Sequence, residues 1–195
     1  KILIVGGSSG IGLAIAIQAA SEGANVVIAS RSAERLTTAS KFLPYPIQTE
    51  VVDATSDESV ISLISKIGDI DHLAVTIKPN LPSGRFTENE IHSVQQAFDA
   101  KFWGQYRLAK HAVKRIKPAG SIVLTSGIAA HRGYVGYSIV SAMNAATEAL
   151  AKAMAIELAP IRVNVVCPGF IEAQSDSTER FKYAQGVGAS FPLAR

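Results

Sequence analysis

The chain has 195 residues, of which 48% are apolar and 18% charged, and its formal net charge is +3. This composition excludes a disordered chain, and the length suits one α/β domain with a sizeable core. Basic residues are scattered, so nucleic-acid binding is not indicated. No apolar stretch approaches the ~20 residues of a membrane span, and the sequence opens on a core strand rather than a signal peptide.

Strand-like and helix-like patterns alternate along the chain. The predicted strands are 2–5, 25–30, 47–52, 71–76, 121–126 and 162–167; the predicted helices lie at about 10–22, 32–42, 57–67, 88–117 and 138–159. Continuous apolar strands separated by helices are typical of a parallel sheet covered on both faces. Without linkers or repeats, residues 1–195 are predicted to form a single α/β domain, a doubly wound (Rossmann-type) parallel sheet with helices on both faces.

Two predicted helices carry further signals. Thr87 and Glu90 have the spacing of a capping box, which predicts the start of the fourth helix. Apolar residues at helical spacing predict the buried stripe of the fifth helix: Val140, Met143, Ala146, Leu150, Met154 and Leu158.

A glycine-rich loop joins the first strand to the first helix. Its residues are Gly6, Gly7, Ser8, Ser9, Gly10, Ile11 and Gly12. Glycines allow a tight turn and a close approach to a ligand, while the free amides and dipole of the helix N-terminus favour a pyrophosphate. The alternative is an ordinary glycine-rich turn, but the order of strand, loop and helix favours dinucleotide binding.

Segments spread over the whole chain resemble the short-chain dehydrogenase/reductase family. They are the glycine loop, Asp53 after the third strand, and residues 102–107, 121–126 and 162–172. The resemblance implies an oxidoreductase that acts on a carbonyl or alcohol group of a small molecule. It also implies a homodimer or homotetramer formed through the fourth and fifth helices. Family members usually continue for a few dozen residues past a stretch like 191–195, so part of the substrate pocket is expected to be missing here.

The residues after the second strand favour NADP(H) as the cofactor. Ser30 stands where an NAD site usually has a carboxylate, and Arg31 offers a planar fork suited to a 2′-phosphate; Ser32 follows. The alternative is a surface arginine at a helix start. By resemblance, Asp53 and Ala54 contact the adenine.

The resemblance also implies a loop beside the nicotinamide. The residues that match it are Pro168, Gly169 and Ile171. Ala173 stands where a threonine that binds the carboxamide is common.

The family's catalytic residues are replaced. Counted back without gaps from Glu157 and Asn164 through the fifth helix, the usual Ser falls on Gly127, the Tyr on Val140 and the Lys on Asn144. The usual Asn of the fourth helix falls on Lys101. Residues 75–78 replace the usual Asn-Asn-Ala-Gly stretch.

Two substitutes for the missing groups are considered. In the first, the loop shifts and Tyr137 works with Ser126, although a Tyr without a nearby cation keeps a pKa near 10 and is a poor acid. In the second, Lys101 reaches the space left by the missing Lys, close to Asn144. The simpler alternatives are a solvated Lys101 and a packed Tyr137.

Cys167 and His131 each have two interpretations. As the single cysteine, Cys167 rules out an internal disulfide and fits a reducing, cytoplasmic compartment. At the end of an apolar strand it is interpreted as a buried, inert thiol rather than a nucleophile. His131 is either a proton carrier or an exposed loop residue without a partner.

Three functions therefore remain open. The favoured one is an NADP(H)-dependent oxidoreductase with atypical catalytic residues. The alternatives are a non-redox enzyme (an isomerase, cyclase or dehydratase) and a nucleotide-binding regulatory subunit, because function depends on the site rather than the fold.

Overall fold

The computed structural model describes residues 1–81, 84–169 and 171. The strands are β1 (Ile2–Val5), β2 (Val26–Ser30), β3 (Gln48–Val51), β4 (Ile70–Val75), β5 (Ile116–Thr125) and β6 (Arg162–Val166). The helices are α1 (Gly10–Ser21), α2 (Ala33–Ser40), α3 (Asp57–Ile67), α4 (Ile91–Phe98), α5 (Gly104–Ala112) and α6 (Ser138–Glu157). A π-helical turn (Asp99–Trp103) joins α4 to α5, and short 3₁₀ turns lie at Phe86–Glu88, Val113–Arg115 and Ile128–Ala130.

All six strands form one parallel sheet in the order β3-β2-β1-β4-β5-β6. The chain runs outward from β1 to β3 and then crosses back to β4 on the other side of β1. In such sheets ligands bind at the carboxyl ends of the strands where the order reverses. This arrangement confirms the predicted doubly wound fold.

The two faces of the sheet bury separate cores. Leu3 and Val5 contribute to one core and Ile4 to the other, because successive side chains of a strand alternate. The first core is completed mainly by α3 and α5, and the second by α1 and α2. No helix within the described ranges is long and apolar enough to cross a membrane.

The predicted fourth helix is divided and shorter than expected. The first part, α4, begins at Ile91, so the predicted capping box of Thr87 and Glu90 is wrong. Instead, the Arg85 amide donates to Glu88 Oε2 at 2.7 Å and closes a 3₁₀ turn. Helix α5 ends at Ala112 because the chain enters β5 at Ile116, earlier than predicted.

The buried face of α6 differs from the predicted apolar stripe. The residues that it buries are Met143, Asn144, Thr147, Glu148 and Ala151. Of the predicted stripe only Met143 is fully buried, while Leu150, Met154 and Leu158 are partly buried against the core. Polar side chains take the inner face because they hydrogen-bond to the ends of the neighbouring strands, as described below.

Candidate active site

The glycine loop is shaped by close contacts with its surroundings. Gly6 and Gly10 have φ angles of +91° and +52°, which residues with a side chain rarely adopt. A Cβ on Gly12 would collide with the Gly6 carbonyl and with Thr76 at the end of β4. Ser9, the N-cap of α1, makes no side-chain cap. The Ser9 side chain therefore does not cap the first amides of α1, and such a helix N-terminus can hold a pyrophosphate.

The ends of β2 and β3 bring a basic and an acidic residue together. Arg31 is exposed, while Ser32 is the N-cap of α2, its Oγ accepting from the Arg35 amide at 3.2 Å. Asp53 Oδ1 accepts from the amide and the hydroxyl of Thr55 at 2.9 and 2.8 Å. These hydrogen bonds, helped by the positive charge of Arg31, hold the pKa of Asp53 below its ordinary value. Asp53 is thus a fixed, ionised acceptor.

Ser30 lies at the end of β2, where its hydroxyl donates to the Ser32 carbonyl at 3.4 Å. No carboxylate stands at this point of the strand. Ser30 therefore adds no negative charge of its own beside Arg31.

Ala54 is buried against the start of α5. A Cβ on Gly104 would lie 3.1 Å from the Ala54 Cβ, so a larger residue would crowd this contact. Arg107 donates to the Ala54 carbonyl at 3.4 Å and to Asp99 Oδ1 at 2.7 Å. Arg107 thereby anchors the loop that follows β3. Sequence reasoning missed this role because the partners are 53 and 8 residues away.

The loops after β5 and β6 are joined through their backbones. The Ser126 amide donates to the Val166 carbonyl at 2.9 Å, and the Ile128 amide donates to the Pro168 carbonyl at 2.8 Å. Gly169 and Ile171 are exposed beyond this junction. Ala173 lies outside the described residues.

Ser126 is 5% exposed and its hydroxyl faces the protein interior. It donates to Glu148 Oε1 at 2.6 Å and to the Asn144 carbonyl at 3.3 Å. Tyr137 is half-buried at the N-cap of α6, and its ring packs against that of Tyr134 at 5.8 Å between centroids. The shorter of the two hydrogen bonds of the Ser126 hydroxyl is the one to Glu148.

Lys101 lies in the π turn and is only 8% exposed. The turn packs against α6, where Asn144 is also buried. Burial lowers the pKa of Lys101 to about 8, since the charged form loses its hydration. Among the described residues no hydrogen bond or ion pair to the Lys101 ammonium is found. A solvated surface lysine, the simpler alternative, does not fit this burial.

Gly127 and Asn144 fit each other closely. Asn144 Nδ2 donates to the Gly127 carbonyl at 3.4 Å, and a Cβ on Gly127 would lie 2.8 Å from that nitrogen. A serine at 127 would therefore force Asn144 to move. Gly127 in place of the usual Ser and Asn144 in place of the usual Lys are therefore coupled by packing.

Glu148 is the centre of a polar cluster that the sequence did not reveal. Its second oxygen lies 3.0 Å from His131 Nε2, so the expectation of a partnerless histidine is wrong. Cys167 is partly rather than fully buried. Burial and then the negative charge of Glu148 raise the pKa of the Cys167 thiol, outweighing hydrogen bonds from Ser126 and the Gly127 amide.

A cavity of about 620 Å³ opens at the N-terminus of α6. Arg85, Phe86, Tyr134, Ser138 and Ser141 are among its lining residues. It combines aromatic walls with hydroxyl groups and one cation. The cavity is largely apolar and wide open to solvent.

Comparison with known proteins assigns the family. The family model described as "Enoyl-(Acyl carrier protein) reductase" matches residues 5–195. The short-chain dehydrogenase/reductase ucsE of an Acremonium species is 32% identical over 192 residues, which cover 89% of this chain and 73% of that protein. The chain belongs to the short-chain dehydrogenase/reductase family. It is an oxidoreductase of that type.

Other short-chain dehydrogenases/reductases extend the comparison. The NADPH-dependent aldehyde reductase 1 of Arabidopsis thaliana is 28% identical, over 86% of this chain and 64% of that protein. A solved short-chain dehydrogenase/reductase family protein is 33% identical with a TM-score of 0.88, covering 100% of this chain and 82% of its own. A small-chain dehydrogenase solved in complex with NADPH is 29% identical with a TM-score of 0.79, covering 100% and 83%.

Proposed function

We propose that this short-chain dehydrogenase/reductase uses NADP(H) to interconvert a carbonyl and an alcohol on a small molecule. The observation that carries the cofactor assignment is Arg31, which is exposed directly after β2 and follows Ser30, a residue without the carboxylate usual in an NAD site. The relative described as NADPH-dependent and the neighbour solved with NADPH support it.

The proposed cofactor site combines three parts of the sheet edge. The residues assigned to it are Gly6, Ser8, Ser9, Gly10, Ile11, Gly12, Ser30, Arg31, Ser32, Asp53, Ala54, Pro168, Gly169 and Ile171. The glycine loop holds the pyrophosphate, Arg31 holds the 2′-phosphate, and Asp53 accepts from the adenine amino group. The bound nicotinamide supplies hydride chemistry, and the protein orients it.

Lys101 is our candidate to replace the lysine that the family usually has at the position of Asn144 on α6. Its buried ammonium is proposed to hold a proton near the reacting oxygen, with Asn144 beside it. A pKa of about 8 suits proton transfer near neutral pH. Ser126 and Tyr137 remain the second candidate pair, although Ser126 already donates to Glu148.

We further propose a cytoplasmic homodimer or homotetramer built on α4, α5 and α6. Exposed apolar side chains on these helices and on the π turn include Ile91, Trp103 and Ile156. Their burial would favour association through these elements.

Nucleotide titration tests the cofactor assignment. We expect tight NADPH binding, weak NADH binding, and an NADPH affinity reduced about 10- to 100-fold in Arg31→Ala, because a charge-assisted contact is worth ~1.5–3 kcal/mol. Arg115→Ala is the matched control, since Arg115 is an exposed arginine that pairs with Asp69 before β4. Equal affinity for both nucleotides, or an unaffected Arg31→Ala, would contradict the assignment.

A non-redox reaction on the same scaffold is the second candidate function. Gly127, Val140 and Asn144 at the usual catalytic positions favour it, because they cannot act as the familiar acid. Product formation at constant nicotinamide absorbance would identify this case. Turnover that changes the absorbance would establish hydride transfer.

A further inference from the structure

Three potential metal ligands converge beside the candidate active site. His131 follows the 3₁₀ turn after β5, Glu148 lies on α6, and Cys167 follows β6. One ligand atom from each lies within 4.8 Å of the other two. Within the described part of the chain, no other group of three His, Cys, Asp or Glu side chains meets this condition.

The donor atoms suit zinc. A set of one thiolate, one imidazole and one carboxylate combines the softness that Zn²⁺ prefers and that Mg²⁺ and Ca²⁺ do not. Zinc–ligand bonds of about 2.0–2.3 Å in a tetrahedron place the ligand atoms roughly 3.3–3.6 Å apart. His131 Nε2 and Glu148 Oε2 are already 3.0 Å apart, so small side-chain movements suffice.

The surroundings hold the carboxylate and leave a route for the ion. Ser126 donates to the other oxygen of Glu148 at 2.6 Å, the kind of supporting hydrogen bond that orients a ligand. The Glu148 side chain is 12% exposed, whereas that of His131 is 57% exposed. The ion can therefore enter from the His131 side and keep a water molecule as its fourth ligand.

We propose that His131, Glu148 and Cys167 form a Zn²⁺ site with three protein ligands. The ion would link the segment after β5 to the segment after β6, which already share backbone hydrogen bonds. Binding releases the thiol proton of Cys167 to solvent as the sulfur becomes a thiolate. The site therefore gives this cysteine a role other than that of an inert thiol, and it does not depend on the identity of the substrate.

Metal titration of the full chain tests the site. After chelator treatment, calorimetric titration with ZnCl₂ is expected to show one ion per chain, and CoCl₂ is expected to give a thiolate-to-metal charge-transfer band. Cys167→Ser removes the sulfur with little change in shape, so it should abolish the band and lower Zn²⁺ affinity at least about tenfold. His131→Ala should lower the affinity similarly.

His111→Ala is the matched control. His111 Nε2 lies 3.0 Å from Asp57 Oδ1, the same histidine–carboxylate spacing without a thiol. This variant should keep the stoichiometry, the affinity and the cobalt band. Circular dichroism of each variant separates loss of the site from loss of the fold.

The proposal fails if the folded wild type binds no stoichiometric zinc. It also fails if Cys167→Ser and His131→Ala bind zinc as the wild type does, since the ion would then lie elsewhere. Excess MgCl₂ is expected not to displace the cobalt band, and displacement would overturn the assignment to a zinc-type site.

Discussion

Lys101 illustrates how a buried ionisable side chain costs stability. The residue is only 8% exposed, and burial brings its pKa from an ordinary 10.5 to about 8. Below pH 8 the folded protein bears the whole cost of that buried charge, about 3 kcal/mol. A residue that served packing alone would be apolar at this position.

Replacing Lys101 with methionine should make the protein more stable and less active. At pH 7 we expect the free energy of unfolding to rise by up to ~3 kcal/mol, because the buried charge is gone. We expect turnover to fall about 100-fold or more, because a positioned proton carrier is lost. Urea unfolding and steady-state kinetics measure the two effects, and Lys110→Met, on the exposed face of α5, should change neither.

The pH dependence of stability provides an independent measurement. Between pH 8 and 10.5 the folded wild type has released the Lys101 proton while the unfolded chain still holds it. The free energy of unfolding therefore increases as the pH rises through this window. We expect this increase in the free energy of unfolding to be absent in Lys101→Met. If wild type and Lys101→Met had parallel stability profiles, Lys101 would not be buried as a titrating group.

Other residues of the site differ in how far sequence could reveal them. The glycine loop and Arg31 could be proposed as site residues from the sequence because the proposal depends on local order along the chain. Glu148 and Arg107 were not, because each acts on residues from distant segments. The fit of Gly127 to Asn144 likewise appears only when α6 is packed in place.

At the scale of elements, Gln105 connects α5 to β5 and α6. It is fully buried, accepts from the Thr125 amide at 2.9 Å and donates to the Thr125 carbonyl and the Thr147 hydroxyl. Thr125 in turn donates from its hydroxyl to the Val75 carbonyl of β4 at 2.7 Å. One amide side chain thus fixes the carboxyl end of the central strands.

Gln105→Leu should destabilise the protein by about 1–3 kcal/mol, because similar volume is kept while a buried amide and hydroxyl lose their partner. Urea unfolding measures the loss. Gln95→Leu, an exposed position on α4, should stay within ~0.5 kcal/mol of wild type. Equal stability of the two variants would mean that the Gln105 hydrogen bonds contribute nothing net.

Element boundaries were predicted well where hydrophobic periodicity governed them, and less well elsewhere. Helix α3 matches its predicted range of 57–67, with Ser56 as its side-chain N-cap. The inner face of α6 was mispredicted because its polar residues look exposed in a periodic pattern. They are buried because the strand ends supply partners, which only the tertiary structure reveals.

At the scale of the whole molecule, some of the exposed apolar side chains lie on α4, α5, α6 and the π turn. Trp103 is 47% exposed and packs edge-on against Tyr106, with ring centroids 5.6 Å apart. Ile91 of α4 and Ile156 of α6 are still more exposed. We expect these helices to be covered in the proposed oligomer.

Trp103→Glu should therefore reduce the oligomer to smaller species, since a charge buried at an interface without a partner is costly. Sedimentation velocity at several protein concentrations measures the change. Phe42→Glu is the control: Phe42 is an exposed aromatic residue that follows α2, away from these helices. A wild type that sediments as a monomer would rule out the proposed assembly.

The π turn between α4 and α5 makes the length of that segment a strict requirement. Each residue advances an α-helix by about 100°, so deletion of one residue there would rotate all of α5 relative to α4. Gln105, Leu108 and Ala109 would then leave the sheet, although every one of them was still present. A single-codon deletion within the turn would therefore act on the core as a simultaneous replacement of the whole inner face of α5.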